Sequence, residues 1–268
     1  MCRLFGMSAG SAPVAATFWL LDAPDSLGVQ SHRNADGTGV GYFDPTGTAH
    51  VDKQPIAAFE DRRFASEARH LRSPTFISHV RQATNGGLTV ANTHPFRMEN
   101  RLFAHNGVIN DVARLDQELG DYRALVQGDT DSERYFALIT REIQRHAGDV
   151  DAGMRSAVNW VAEHLSVTSI NFVLITADGL WALRYPETHS LFMLERHPGG
   201  AGARQALAID QRSGHGTRIH SEQARDRPVV IVASECMDDD PAWRPISSGE
   251  LIHVDGSLAV ASERVIAA

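Results

Sequence analysis

The apolar residues of this 268-residue chain change their period twice, and no other feature narrows the fold as much. Up to Ile109 they fall in short runs bounded by turn residues, the pattern of strands, at 3–8, 39–43, 48–52 and 75–80. Asp44-Pro45-Thr46-Gly47 closes a predicted hairpin, and Asn106-Gly107, between 101–104 and 108–109, signals a second. A mixed apolar stretch at 15–21 reads as helical. The period then lengthens: Tyr135, Ile139 and Ile143 share one helical face, as do Met154, Val158, Val161 and Leu165. Strand-like runs return at 170–176, 180–184, 191–194, 229–233, 251–254 and 258–261, with Asp178-Gly179 and Asp255-Gly256 as turns. Strands, two helices and strands again predict an α+β sandwich built as a single domain. The polar, Gly-rich stretches 197–203 and 213–227 read as surface loops.

Composition excludes several classes of function. With 43% hydrophobic and 22% charged residues the chain can bury a sizeable core, so wholesale disorder is excluded. The formal charge of -8, from 33 acidic against 25 basic residues, comes without any run of Lys or Arg, which argues against nucleic acid as a partner. Two cysteines, Cys2 and Cys236, cannot make a disulfide framework and fit a reducing, cytoplasmic setting, with Cys236 read as a packed thiol. The apolar stretch 14–21 ends at Asp22 and Pro24, so no signal peptide is read, and no run of about 18 apolar residues predicts a membrane span.

Cys2 is the first candidate for chemistry. Loss of Met1 leaves a thiol and a free α-amine on one residue, and an amine of ordinary pKa about 7.7–8.0 is a usable base near neutral pH. A nucleophile acting on an amide needs donors where negative charge develops, and Asn106 with the unhindered N–H of Gly107 offers two. The same pair also serves as a tight turn, and both readings stay open. Arg81, ending a predicted strand, can hold a carboxylate with both arms of its guanidinium or lie at the surface. Asp131 falls in the first turn of a helix opened by a capping box from Thr130 to Glu133, where it either takes an ammonium group or complements the helix dipole. The Gly-containing run 31–39 lacks the ending of a phosphate loop and the dinucleotide pattern, so no nucleotide site is read there.

In this order, Met1-Cys2 followed by a strand, His32-Arg33 with Asp36 and Gly39, His79-Val80-Arg81 with Ala83-Thr84, His105-Asn106-Gly107 and Thr130-Asp131-Ser132-Glu133 resemble the class II glutamine amidotransferases, which are N-terminal-nucleophile hydrolases. Ala233-Ser234-Glu235, with Trp243, Ile246 and Gly249-Glu250, resembles the small stand-alone members and carries no catalytic role. The resemblance implies a four-layer αββα sandwich over 2–268, with Met1 removed and no synthase domain following. It implies Cys2 as nucleophile and base, Asn106 and Gly107 as oxyanion donors, Arg81 on the substrate carboxylate and Asp131 on its ammonium. Thr84 lies in the implied substrate pocket, Arg33 braces the N-terminal residue and closes the pocket, and His94 is either a substrate contact or a packed loop histidine. The implied reaction attacks the side-chain amide of glutamine or a γ-glutamyl compound, proceeds through a γ-glutamyl thioester, and needs no metal or organic cofactor. The ammonia then passes to a synthase subunit or is released. A γ-glutamyl conjugate hydrolase of an ergothioneine-type pathway, a silent binding protein on the same fold and an acylase-type hydrolase are the alternatives. Thr38, Gln82 and Asn85 depart from the aromatic, Trp and His that many members carry there, and so alter the pocket.

Overall fold

The computed structural model describes residues 2–84, 86–197 and 227–266. Met1, Asn85 and nearly all of the stretches 197–203 and 213–227, read above as loops, lie outside them. The chain opens with β1 (Arg3–Ser8), which pairs antiparallel with β4 (Thr75–Arg81) on one side and β10 (Val229–Ala233) on the other. Beyond β4 lie β2 (Gly37–Phe43) and β3 (Ala49–Gln54); beyond β10 lie β9 (Phe192–Arg196) and β11 (Arg244–Pro245). A second antiparallel sheet holds β5 (Phe96–Met98), β6 (Arg101–Ile109), β7 (Val167–Ile175), β8 (Leu180–Arg184), β12 (Glu250–Val254) and β13 (Val260–Arg264), in the order β13-β12-β8-β7-β6-β5.

Side chains on successive strand residues point to opposite faces, so a strand buried on both faces joins two cores. Leu4, Ile77, Ala104, Val173, Val232 and Ile252 fill the layer between the sheets. Their neighbours Phe5, Phe76 and Ile231 face outward beneath α1 (Leu27–Gln30), α2 (Arg62–His70) and a π-helical turn at Phe18–Asp22. On the other side Phe103, Phe172 and Leu174 pack under α3 (Val112–Leu119), α4 (Asp131–Arg145) and α5 (Val150–His164). Three apolar layers between four structural layers make the expected αββα sandwich. Each fully buried Phe or Leu contributes roughly 1.5–3 kcal/mol. Among the described residues no helix is long and apolar enough to cross a membrane.

The two long helices stand where the 3.6-residue period put them, and Asp44 closes the β2–β3 hairpin, its carboxylate accepting from the Thr46 and Thr48 amides at 2.8 and 3.1 Å. The second hairpin is overturned. β6 runs unbroken through Asn106 and Gly107, which lie opposite Asn171 and Ile170 of β7. A Cβ on Gly107 would sit 1.8 Å from the Ser169 carbonyl oxygen, so glycine serves a close approach of two backbones, not a turn. The helical stretch expected at 15–21 shrinks to Thr17 and the one π turn, because Val14 is bridged to Ser73 and Ala23 is already extended. Gly39 has a similar purpose to Gly107: a Cβ there would lie 2.2 Å from the His94 carbonyl oxygen, where the 82–95 crossover passes from the first sheet to the second.

Candidate active site

The start of β1, the end of β4, the C-terminal half of β6 and the first turn of α4 carry the candidate residues. Arg3 is paired with Val80, so Cys2 lies beside the end of β4. The Cys2 Sγ donates to the Gln82 carbonyl oxygen and receives the Gln82 amide, both at 3.3 Å. Burial pushes the thiol up, while the Gln82 main chain and the Arg81 and Arg3 cations pull it back. Among the described residues no His, Asp or Glu side chain bonds the sulfur.

The start of β1 is clamped by a segment for which the sequence offered a resemblance but no role. Leu4 donates to the Ser234 hydroxyl at 2.9 Å and accepts from the Ser234 amide at 3.1 Å, and Arg3 pairs with Glu235 at 3.1 Å while donating to the Cys2 carbonyl oxygen at 3.1 Å. Arg3 thus bonds the Cys2 main chain, whereas Arg33, expected to brace the N-terminal residue, is exposed and pairs with Asp25 at 3.3 Å.

Arg81 is buried at the end of β4 and donates to the Gly87 and Gly86 carbonyl oxygens at 3.1 and 3.4 Å, tying down the loop that follows. Asp36 fixes the approach to that loop, its amide donating to the Arg81 carbonyl oxygen at 3.0 Å and its carboxylate accepting from Ala83 at 2.8 Å. Thr84 is exposed on the same loop. His94 is packed, its ring 4.2 Å from that of His79, and both imidazoles are buried. Burial, reinforced by neighbouring cations, drives His79 down to about 3 and His94 well below its ordinary value.

Alternation along β6 sends His105 toward α4, where Nδ1 meets the Ser132 hydroxyl at 2.9 Å, and Asn106 toward the first sheet. Asp131 is the first residue of α4, and its carboxylate accepts the Ile109 amide at 2.7 Å, binding the helix to the strand of Asn106 and Gly107. Only half of the capping box forms: Thr130 accepts the Glu133 amide at 3.2 Å, but the Glu133 carboxylate turns to the Gly128 amide at 2.6 Å. Cys2, Arg81, Asn106, Gly107 and Asp131 therefore lie at one end of the two facing sheets, with Arg33 and Thr84 left exposed. A cleft of about 610 Å³ between β3, β5 and the start of α4 is lined by Lys53, Phe96 and Glu133, not by Cys2 or Arg81. Among the described residues no group of three or more His, Cys, Asp or Glu side chains is placed to hold a metal ion.

The fold agrees with what the chain is similar to. YafJ of Escherichia coli strain K12 is 25% identical over 261 residues, covering 93% of this chain and 96% of that protein. The γ-glutamyl-hercynylcysteine sulfoxide hydrolase of Mycolicibacterium smegmatis is 27% identical over 253 residues, covering 91% of this chain and 92% of that one. Among solved structures, the glutamine phosphoribosylpyrophosphate amidotransferase of B. subtilis superposes with a TM-score of 0.69 at 20% identity. That match covers 99% of this chain but 49% of the enzyme, and at such identity it is a likeness of fold. The family model described as class II glutamine amidotransferases matches residues 1–267, and with the fold and the site residues in hand the chain belongs to that family.

Proposed function

We propose that the protein hydrolyses the side-chain amide of glutamine or of a γ-glutamyl compound, with Cys2 as nucleophile once Met1 is lost. The observation that carries this reading is the environment of the Cys2 sulfur, which among the described residues is bonded to the Gln82 main chain alone, with no His, Asp or Glu side chain to serve as its base. Such a thiol needs a base, and the α-amine of its own residue supplies one without any histidine.

In the proposed reaction the amine takes the thiol proton and the sulfur attacks the amide carbon. The resulting oxyanion is held by the Asn106 side-chain amide and the Gly107 N–H. Collapse breaks the C–N bond, the leaving ammonia or amine takes the proton back from the α-ammonium, and a γ-glutamyl thioester remains. Water, deprotonated by the amine, hydrolyses the thioester to glutamate and restores the thiol. Arg81 receives the substrate α-carboxylate and Asp131 its α-ammonium, a pairing that selects an amino-acid head group over the acyl chain of an acylase substrate. The relative named as a γ-glutamyl-hercynylcysteine sulfoxide hydrolase matches over nearly its full length, which favours a γ-glutamyl conjugate as substrate beside glutamine itself.

The test is release of glutamate, and of ammonia or amine, from glutamine and from a γ-glutamyl amide, using protein whose intact mass confirms loss of Met1. Release that vanishes in Cys2→Ala is the expected result. Correctly processed protein that releases glutamate from neither compound would leave the silent binding protein.

A further inference from the structure

The proposed nucleophile starts a strand of one sheet and the proposed oxyanion donors lie on a strand of the other, so their spacing depends on what joins the sheets at that end. The chain crosses from β8 to β9 through residues 185–191, and this crossover is bonded to both. On the second-sheet side, Asn171 lies opposite Asn106 and is fully buried. Its Nδ2 donates to the carbonyl oxygens of His189 at 3.1 Å and Ser190 at 3.4 Å, while its Oδ1 accepts the Tyr185 amide at 2.9 Å. Arg184 donates a further bond to the His189 carbonyl oxygen at 3.0 Å. On the first-sheet side, the Ser190 hydroxyl donates to the Ser234 carbonyl oxygen at 2.8 Å, and Ser234 holds Leu4 by two bonds, at 2.9 and 3.1 Å.

We infer that Asn171, Ser190 and Ser234 form a strut whose task is to hold Cys2 and Asn106 at their working separation; the inference rests on the reading of Cys2 and Asn106 given above. They are positioning residues, acting through Leu4 on the nucleophile and through the β6–β7 pair on the oxyanion donors. The ties run from the fully buried Asn171 through the half-buried Ser190 to the buried Ser234, so losing the Ser190 hydroxyl takes from the Ser234 carbonyl oxygen the side-chain donor that links the crossover to the first sheet. Because a misplacement of about 1 Å at a reacting centre costs about 100-fold in rate, a strut of this kind acts on turnover far more than on substrate binding at Arg81 and Asp131. His189, on the same crossover, lies half-buried against the Asn106 main chain, so the crossover reaches the oxyanion strand directly as well.

The experiment uses Ser190→Ala, with Ser190→Thr to restore the hydroxyl and Asn171→Ala as a second break in the strut. The expected result for both alanine variants is a kcat lowered about 10- to 100-fold with KM for the substrate within about 2-fold. Cys2 alkylation by iodoacetamide, which forms no oxyanion, proceeds at the wild-type rate, and Ser190→Thr recovers most of kcat. Hydrogen exchange needs no turnover: peptides spanning 2–8 and 104–109 exchange faster together in Ser190→Ala. A kcat within about 2-fold of wild type, a fall in kcat that Thr does not restore, or exchange confined to 185–191 overturns the strut. If wild-type protein lacks turnover altogether, the functional reading has failed, and the exchange measurement alone decides whether the strut couples the two strands.

Discussion

Cys2 and Gly107 place opposite demands on the atoms around them. In the proposed reaction Cys2 draws on a base within its own residue, and the main-chain bonds from Gln82 hold the sulfur without supplying one. Gly107 needs the absence of an atom, since a methyl group at that position would overlap the Ser169 carbonyl oxygen and come within 2.8 Å of His105 Nε2. The expected effect of Gly107→Ala is therefore a loss of at least about 2 kcal/mol in stability, seen as a lower urea midpoint at unchanged m-value, because backbone cannot yield as a flexible side chain does. A midpoint equal to wild type would mean that β6 and β7 part there without cost. The type of residue at both positions was legible in the sequence, but the reason for glycine was not: Asn-Gly is the same dipeptide in a turn and in a strand pressed against its neighbour.

Among the elements, α4 is tied most closely to the candidate site, since Asp131, Ser132 and Tyr135 all meet β6. Thr130 caps the helix through the Glu133 amide, and Asp131, one residue on, bonds the Ile109 amide. Thr130→Ala is expected to cost about 1 kcal/mol of stability and, because Asp131 loses its fixed starting geometry, to raise KM for the amino-acid substrate more than it lowers kcat. Thermal unfolding and steady-state kinetics check the two parts; a lower midpoint with KM unchanged would show that the Ile109 bond alone orients Asp131. The long helices were readable because three apolar residues in one and four in the other repeat on one face. The shorter α2 and α3 bury only Phe64 and Ala68, and Leu115 and Leu119, too few repeats for the period to stand out. The half-formed capping box has the same origin: the pattern names Glu133, and only the neighbouring loop decides that its carboxylate turns to Gly128.

The molecule as a whole stores an acid sensitivity between its sheets. His79 and His94 stay neutral in the fold, held down by burial and by the cations Arg81 and Lys53, whereas in the unfolded chain they protonate near 6.5. Below that pH the unfolded state binds more protons than the native one, so stability is full above about 6.5 and falls as pH drops toward the folded-state value of about 3 for His79. Each such histidine contributes a slope of up to about 1.4 kcal/mol per pH unit. Glu67, pushed up to about 8 by burial and by the Asp52 carboxyl, has the opposite slope above its unfolded value, so the check is the difference between wild type and His94→Leu. Urea midpoints from pH 7 to 4.5 should fall less in the variant; parallel curves would mean that His94 takes up its proton inside the fold. Periodicity and turn chemistry by themselves determined the alternation of strands and helices, the sandwich class and the residue types fit for attack on an amide, since each is written within a few neighbouring positions. Only the tertiary structure decided that Gly107 abuts Ser169, that Ser234 grips Leu4 across 230 residues of sequence and that two histidines lie buried between the sheets. A local pattern specifies which face of an element is buried, whereas the atoms that cover that face are chosen by how all the elements pack at once.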